Sequence, residues 1–178
     1  RVEAEARRVF PYAKISRLDG DRLRHSSTAR RAWEEVRSGA WDILIGTQAL
    51  FQREPLPRRE LVGILQADSG FHIPDFRASE RTYQHLDEAV SLARPASEGG
   101  RVILQTRLPM HHAVQAVLSN DPQRFYGEEL AARRLLNYPP ACHLAALSVS
   151  GKDSLEVETA AAQWKQYLEE SVGRKNTL

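Results

Sequence analysis

The sequence is poor in cysteine and in net charge, and it has no long apolar run. Its single cysteine, Cys142, excludes an internal disulfide and a cysteine-rich zinc cluster, so a reducing cytoplasm is the expected compartment. No stretch approaches the ~20 apolar residues of a membrane span, and we expect no membrane segment. The formal charge of +2, from 25 basic and 23 acidic side chains, does not indicate a nucleic-acid-binding protein unless the basic residues cluster on one face.

The histidines do not suggest a metal site either. His111 and His112 are adjacent, and on a helix their side chains would point about 100° apart, which prevents them from chelating one ion. We therefore expect no metal or other cofactor in this chain.

Short apolar runs alternate with helical patterns along the first two thirds of the chain. The runs at 41–46, 61–65 and 101–105 are apolar on both faces, as in strands at the centre of a parallel sheet, and residues 13–18 alternate as in a half-buried strand. This order predicts an α/β fold with a mostly parallel open sheet. Sites on such sheets lie beyond the carboxyl ends of the strands, here in loops 46–57, 67–77 and 106–111.

The helices of this region have recognisable ends and apolar faces. Ser26 or Ser27 can cap a helix that ends at Gly39 and carries an apolar stripe of Ala29, Ala32, Trp33 and Val36. A second amphipathic helix is predicted over about 78–93, with an inner face made of Tyr83, Leu86, Val90 and Ala93. At the amino end, a third helical face comprises Val2, Ala6, Val9 and Phe10.

The pattern changes after residue 117. Asp121 and Pro122 can begin a charged helix that continues to Leu136, and a strand is predicted at 144–149. Asp153 and Glu156 then resemble a capping box at the start of a last helix. We predict two domains, 1–117 and 118–178, the second of which is incomplete or completed elsewhere, because one strand and one helix do not make a core.

Several sequence strings occur in the order and spacing of one helicase family. A strand ends in Gly-Thr-Gln at 46–48, Pro-Asp-Phe-Arg-Ala-Ser-Glu-Arg follows at 74–81, and Tyr-Pro-Pro stands at 138–140. Gly-Thr-Gln resembles motif V of superfamily 2 helicases. The whole succession, from Arg1 to about residue 170, resembles the second RecA-like lobe and the start of the C-terminal domain of the PriA family of bacterial replication-restart helicases.

The resemblance implies that this chain is an excerpt, which fits its start at Arg1 without a methionine. In the family a zinc module would lie just upstream, and the lobe that holds the Walker A loop would lie further upstream. Zinc is therefore expected in the full-length protein and not in this chain, which could not by itself close two lobes over ATP.

One family motif is altered at its essential positions. Motif VI of the family reads Gln-Val-Ala-Gly-Arg-Ala-Gly-Arg, and its arginines stabilise charge on the transferred phosphoryl group. At the same spacing this sequence has Glu88-Ala89-Val90-Ser91-Leu92-Ala93-Arg94-Pro95. Leu92 and Pro95 stand at the arginine positions and Glu88 at the glutamine position, so the resemblance predicts no catalytic residue here. Arg94 could substitute only if the loop rearranged.

Two further loops depart from the family pattern. Where the family has Lys-Gly-His-Asp-Phe-Pro, residues 52–57 lose the glycine and gain a proline, which makes a stiffer loop. Where the family has Asp-Ala-Asp, Gln66-Ala67-Asp68 keeps one acid. We expect all three departures to lie at the nucleotide-binding face, and together they predict the loss of ATP hydrolysis.

The candidate DNA contacts are a threonine and a basic run. Thr47 matches a motif V position that, by resemblance, contacts the DNA backbone, although a hydroxyl that accepts from a strand-end amide is an equal alternative. The densest basic run could track phosphates or be an ordinary solvated face; it comprises Arg22, Arg24, His25, Arg30 and Arg31.

Four other residues have structural explanations that we favour. Trp33 and Trp41 lie within apolar patterns, which is typical of core residues rather than of platforms for nucleic-acid bases. Asp68 and Asp75 could form an acid pair, but isolated acids at loop starts are usually caps, and Asp75 is expected to cap the helix near Ala78.

Three functional hypotheses remain. The first is a non-catalytic portion of a PriA-like protein that binds forked or single-stranded DNA together with primosome and single-stranded-DNA-binding proteins. The second is an active 3′-to-5′ helicase whose arginine finger comes from an unexpected position such as Arg94. The third is a protein-docking scaffold that does not contact DNA.

Overall fold

The chain is described by a computed structural model that covers residues 1–23, 26–51 and 56–172, without the side chains of Ser26, Ser27 and Val172. It divides into two compact units, Arg1–Ala132 and Arg133–Leu178. The described residues alternate helices with short parallel strands, so the predicted α/β class is confirmed.

The strands of the first unit form two parallel pairs. Strand β1 (Ile15–Leu18) pairs with β2 (Ile43–Gly46), and β3 (Leu61–Ile64) pairs with β4 (Arg101–Leu104). Residue Ile15 is opposite Ile43, and Leu61 is opposite Arg101. All four strands fall within the segments in which the sequence predicts them, and each strand is shorter than its predicted segment.

Six α-helices begin within the first unit, and the sixth extends three residues into the second. Their bounds are α1 Val2–Val9, α2 Gly20–Leu23, α3 Ser26–Ser38, α4 Ala78–Ser91, α5 His112–Ser119 and α6 Pro122–Leu135. Three 3₁₀ helices also occur in this unit, at Gln48–Phe51, Ser69–His72 and Ala96–Glu98.

The predicted helix ends correspond to real caps. Gly39 follows α3 with φ +63°, a left-handed conformation that glycine adopts without a Cβ clash. The Asp121 carboxylate accepts from the Arg124 amide at 3.0 Å at the start of α6. Local side-chain chemistry therefore sets these helix ends, whereas the side chains of Ser26 and Ser27, predicted to cap α3, lie outside the described residues.

The main core of the first unit surrounds α5. The side chains of Ala113, Val114 and Ala116 have no exposed surface, and α4 supplies Tyr83 and Leu86 to the same cluster. Helix α6 contributes Phe125, which is also fully buried and stacks on the ring of Tyr83 with centroids 4.0 Å apart. The predicted inner face of α4 is confirmed for Tyr83 and Leu86, while Val90 packs at the edge of the cluster.

A second core joins α3 to strand β1. Its buried members are Leu18, Ala32, Trp33 and Val36. The interpretation of Trp33 as a core residue is confirmed. The apolar face of α1 is different, because Val2, Val9 and Phe10 each leave about half of their surface exposed.

The second unit contains one long helix, α7 (Ser154–Val172). The Asp153 carboxylate accepts from the Leu155 and Glu156 amides at 2.8 and 3.2 Å, which confirms the predicted start. The strand predicted at 144–149 is wrong, since these residues form no strand and Leu147 is 65% exposed. A mostly apolar segment becomes a strand only when a neighbouring strand satisfies its amides, and no such neighbour lies within the described part of the chain.

The division between the units lies later than the predicted domain boundary. The sequence predicts a boundary after residue 117, but α6 places Phe125 in the core of the first unit. A charged surface on α6 suggested the start of a new domain, whereas one buried aromatic ring attaches most of this helix to the preceding one.

We expect Phe125→Ala to lower the free energy of unfolding by ~3–5 kcal/mol, because it removes a fully buried ring and leaves a cavity beside Tyr83. Met110→Ala is the matched control, since Met110 is 81% exposed and its truncation should cost less than ~0.5 kcal/mol. Denaturant unfolding followed by circular dichroism measures both values. Equal, small effects of the two substitutions would show that α6 is not part of this core.

Candidate functional site

The run that replaces motif VI lies at the amino ends of β3 and β4. Helix α4 leaves the carboxyl end of β3 and returns to the amino end of β4, and its last turn leads into Leu92. There Ala93 forms an isolated parallel bridge with Arg59, the second residue before β3. The Arg59 amide donates to the Leu92 carbonyl at 2.7 Å, and the Arg94 amide donates to the Arg59 carbonyl at 2.8 Å.

The side chain of Arg94 is directed to a carboxylate of the same edge. Its guanidinium forms an ion pair with Glu60 at 3.1 Å. After Pro95 the chain folds into the 3₁₀ helix Ala96–Glu98, and Gly100 then passes so close to the Arg94 carbonyl that a Cβ at this position would overlap it. Residues 92–100 are thus fixed by backbone bonds on one side and by a tight turn on the other.

The edge carries an open depression of about 360 Å³. Its floor is mostly apolar and its rim has two arginines; the lining residues are Arg58, Val90, Ser91, Ala93, Arg94, Pro95, Ala96, Gly100 and Val102. Neither Leu92 nor Pro95 can donate a side-chain hydrogen bond to a phosphate, and Glu88 is exposed with a negative charge. The positions that would hold arginine fingers therefore offer no cation.

The altered loops do not share one face of the fold. Gln66-Ala67-Asp68 follows the carboxyl end of β3, whereas Leu92–Pro95 lies at the amino end of the same strand pair. The expectation that all three departures lie at one nucleotide-binding face is wrong for these two. Strands β3 and β4 run parallel, so the segment that connects them begins at one end of the strand pair and finishes at the other. The loops 66–68 and 92–95 are therefore separated by the length of the strands. Residues 52–55 of the third departure lie outside the described residues.

The Gly-Thr-Gln loop occupies the carboxyl end of β2. Gly46 has no room for a Cβ, which would overlap the Leu50 side chain and lie 2.9 Å from the Leu18 carbonyl. Thr47 is exposed, and its hydroxyl accepts from the Ala49 amide at 3.5 Å, as the structural alternative for this residue requires. The Gln48 amide nitrogen lies 2.8 Å from Nδ1 of His85, which attaches the loop to α4. A DNA contact by Thr47 stays a prediction.

The basic run is divided between a paired arginine and a helix face. Arg22 donates to the Arg17 carbonyl at 3.1 Å and lies 3.7 Å from Glu35. Arg30 and Arg31 are exposed on α3, where Arg30 pairs with Glu34 at 3.1 Å. Arg24 and His25 lie outside the described residues. The exposed arginines of α3 thus alternate with glutamates, and a DNA-binding role for this face stays a prediction.

The remaining candidates have structural partners. Trp41 donates its indole N–H to the Val36 carbonyl at 3.0 Å, and the Arg59 guanidinium lies 4.1 Å from its ring centroid in a cation–π contact. The Asp75 carboxylate accepts from the Arg77 amide at 2.8 Å and pairs with Arg81 of α4. The expectation that Asp75 caps α4 is wrong, because Arg77 occupies the N-cap position and no side chain among the described residues caps this helix. Asp68 precedes the 3₁₀ helix Ser69–His72, but its side chain makes no capping bond there.

Sequence reasoning missed a cluster of rings and charges at the start of α5. His112 lies 3.1 Å from the Glu129 carboxylate of α6, and both side chains are largely buried. The His111 ring stacks on His112 and on Phe71, and burial, with the nearby His112 as a second cause, lowers the pKa of His111. The contacts of the two adjacent histidines are with Phe71 and Glu129, which are distant in the sequence, so no local pattern indicates them.

The described residues were expected to hold neither a metal ion nor a membrane segment. Within the residues that the structure describes, no group of three or more histidine, cysteine, aspartate or glutamate side chains is placed to hold a metal ion. Among the described helices, none combines the length and the apolar character needed to cross a membrane.

Comparisons with known proteins place the chain in one family. No family model matches it. The replication restart protein PriA of Bacillus subtilis (strain 168) is 35% identical over 173 residues, which are 97% of this chain and 22% of that protein. PriA of Treponema pallidum is 37% identical over 160 residues, or 90% of the chain and 24% of the relative, and PriA of Thermotoga maritima is 32% identical over 168 residues, or 94% and 23%.

These relatives match nearly the whole chain, and the chain spans less than a quarter of the length of each of them. A match over 173 of the 178 residues spans the positions 46–48, 74–81 and 138–140 that carry the resemblance. Over its own length, the chain belongs to the PriA family of replication restart proteins.

Proposed function

We propose that the chain is a non-catalytic portion of a PriA-like replication-restart protein, which binds branched DNA and primosome proteins without hydrolysing ATP. The RecA-like lobe implied by the resemblance would then act as a scaffold rather than as half of a motor. The family assignment supports the restart role, and the residues at the amino ends of β3 and β4 support the loss of hydrolysis.

The observation that carries the proposal is the state of the Leu92–Pro95 segment. An arginine finger places its guanidinium against the transferred phosphoryl group. At the two positions where the family has these arginines, this chain has the aliphatic side chain of Leu92 and the ring of Pro95. Proline also lacks an N–H, so its backbone cannot replace the missing donor. No movement of the segment would supply a cation from these two residues.

The geometry also argues against the rival in which Arg94 acts as a displaced finger. Its amide is bonded to the Arg59 carbonyl and its guanidinium is paired with Glu60. To reach a nucleotide, Arg94 would have to give up the Glu60 pair, and a larger movement would also break the Arg59–Ala93 bridge. Glu60 would then remain beside the ligand as an opposing charge.

DNA binding is proposed for the face that contains the arginines of α3. Arg30 and Arg31 are exposed, and the buried stripe of α3 holds this helix against β1, so the positions of their backbones are fixed. Arginine binds phosphate well because its planar guanidinium presents two parallel N–H groups that can donate to two phosphate oxygens at once. Thr47 is exposed at the carboxyl end of β2 and would add a hydroxyl contact.

We expect the intact protein to show no DNA-stimulated ATP hydrolysis above background, because loss of the finger arginines costs roughly 10³–10⁵ in rate. A coupled assay with and without forked DNA measures this. Arg94→Ala should leave the background unchanged. If wild-type hydrolysis is appreciable and Arg94→Ala removes it, Arg94 is a finger and the non-catalytic proposal is wrong.

We expect the double variant Arg30→Ala/Arg31→Ala to bind forked DNA more weakly in the intact protein. Each lost phosphate contact should reduce the slope of log affinity against log salt by about 1, so the slope should fall by up to about 2. Fluorescence anisotropy of a labelled fork at several salt concentrations gives the slope.

The control for this variant is Arg124→Ala. Arg124 pairs with Glu128 at 3.2 Å four residues away on α6, as Arg30 pairs with Glu34 on α3, so it matches the loss of a helical ion pair without altering the proposed face. Equal slopes for all three proteins would leave the docking-scaffold hypothesis as the better account.

A further inference from the structure

The amino end of α5 is held by a column of stacked rings. The Phe71 ring, from the 3₁₀ helix Ser69–His72, stacks on His111 with centroids 3.8 Å apart. His111 stacks on His112 at 4.5 Å, and His112 stacks on Phe125 of α6 at 5.4 Å. The column thus links three elements of the first unit, and its two central rings can take up protons.

His111 performs a task that requires an unprotonated nitrogen. Its Nδ1 accepts a hydrogen bond from the Ala113 amide at 3.2 Å, which makes His111 the side-chain cap of α5. A protonated imidazole has no acceptor, so the first proton that reaches Nδ1 removes the cap. The resulting positive charge would also lie at the positive end of the helix dipole, where cations are unfavourable.

His112 stands in the opposite environment. Its Nε2 lies 3.1 Å from the Glu129 carboxylate, and this contact joins α5 to α6. Charge on His112 opposes a second charge on the stacked His111 ring. Two titratable groups therefore shift the pKa of His111: His112 of α5 lowers it and Glu129 of α6 raises it. The 3₁₀ helix Ser69–His72 contributes only the neutral Phe71 ring to this site.

We propose that His111, His112 and Glu129 form a proton-sensitive clasp, which caps α5 at neutral pH and releases its amino end on acidification. Release of the first turn of α5 would affect the stability of the whole unit, because α5 carries fully buried core residues such as Ala113 and Val114. Acidification opens the first turn of α5 by removing the acceptor on His111, while His112 and Glu129 hold α5 against α6.

The sign of the pH dependence follows from the environment of His111. Burial is the largest cause that lowers its pKa below the ordinary 6.5, His112 adds to the effect, and Glu129 opposes it. A histidine whose folded pKa is lowered stabilises the fold fully above its unfolded pKa of ~6.5 and loses this contribution as the pH falls towards the folded value. The clasp should therefore be closed at pH 7.5 and open progressively below pH ~6.5.

The test compares the wild-type protein with His111→Asn, which keeps a good cap and cannot titrate. Hydrogen exchange of the Ala113 amide, corrected for intrinsic rates, is measured by NMR at pH 7.5 and pH 5.5. We expect the protection factor of the Ala113 amide in the wild type to fall about fivefold between pH 7.5 and pH 5.5, which corresponds to the loss of one helix cap. In His111→Asn the protection factor should stay the same. His85→Asn is the control and should behave as the wild type.

A second measurement does not depend on substitution of the cap. The His111 resonance is titrated directly, and His112→Gln removes the neighbouring charge while keeping a hydrogen-bonding group near Glu129. We expect His111 to titrate below pH 6.5 in the wild type and at a higher pH in His112→Gln. If His111 titrates at or above 6.5, or if His111→Asn loses protection as the wild type does, the clasp does not exist.

Discussion

The parallel pairing of β3 with β4 determines where every residue of the altered motif lies. Two parallel strands cannot be joined by a tight turn. The chain must therefore return from the carboxyl end of β3, at Ile64, to the amino end of β4, at Arg101, across the face of the strand pair. Helix α4 makes this return and buries Tyr83 and Leu86 as it does so. Its last turn therefore delivers Leu92–Pro95 to the amino edge, where Arg59 binds the backbone on both sides of Ala93.

Because of this pairing, the residues that stabilise the fold differ from the residues of the altered motif. The helices that cover β3 and β4 depend on apolar burial around Phe125 and Val114, and that burial does not need arginine at positions 92 and 95. On the proposed function, substitutions at the edge would leave the packing intact and would remove the groups that stabilise a transition state. A fold of this kind can keep binding surfaces on its outer helices after the capacity for catalysis is gone. The proposed DNA-binding face on α3 and the altered edge are separate consequences of the same scaffold.

The sequence predicts the local features well, because they depend on neighbouring residues. Gly39, Asp121 and Asp153 end or begin helices as their residue types require, and Trp33 is buried within its own helical stripe. The failures concern contacts between distant segments. The mostly apolar segment 144–149 predicts a strand without identifying a partner for it, and the charged surface of α6 gives no sign that Phe125 is buried. Likewise, the pairing of Arg94 with Glu60 and that of His112 with Glu129 are set by tertiary structure, so no local pattern predicts them.

We propose that this protein keeps the scaffold of a replication-restart helicase without its motor. Strand displacement measures the motor directly. The intact protein is incubated with a synthetic fork, with ATP and with a non-hydrolysable ATP analogue, and released strand is quantified beside bound fork on the same gel. We predict bound fork in both reactions and no release that depends on hydrolysable ATP. Release of the strand with ATP but not with the analogue would contradict the account.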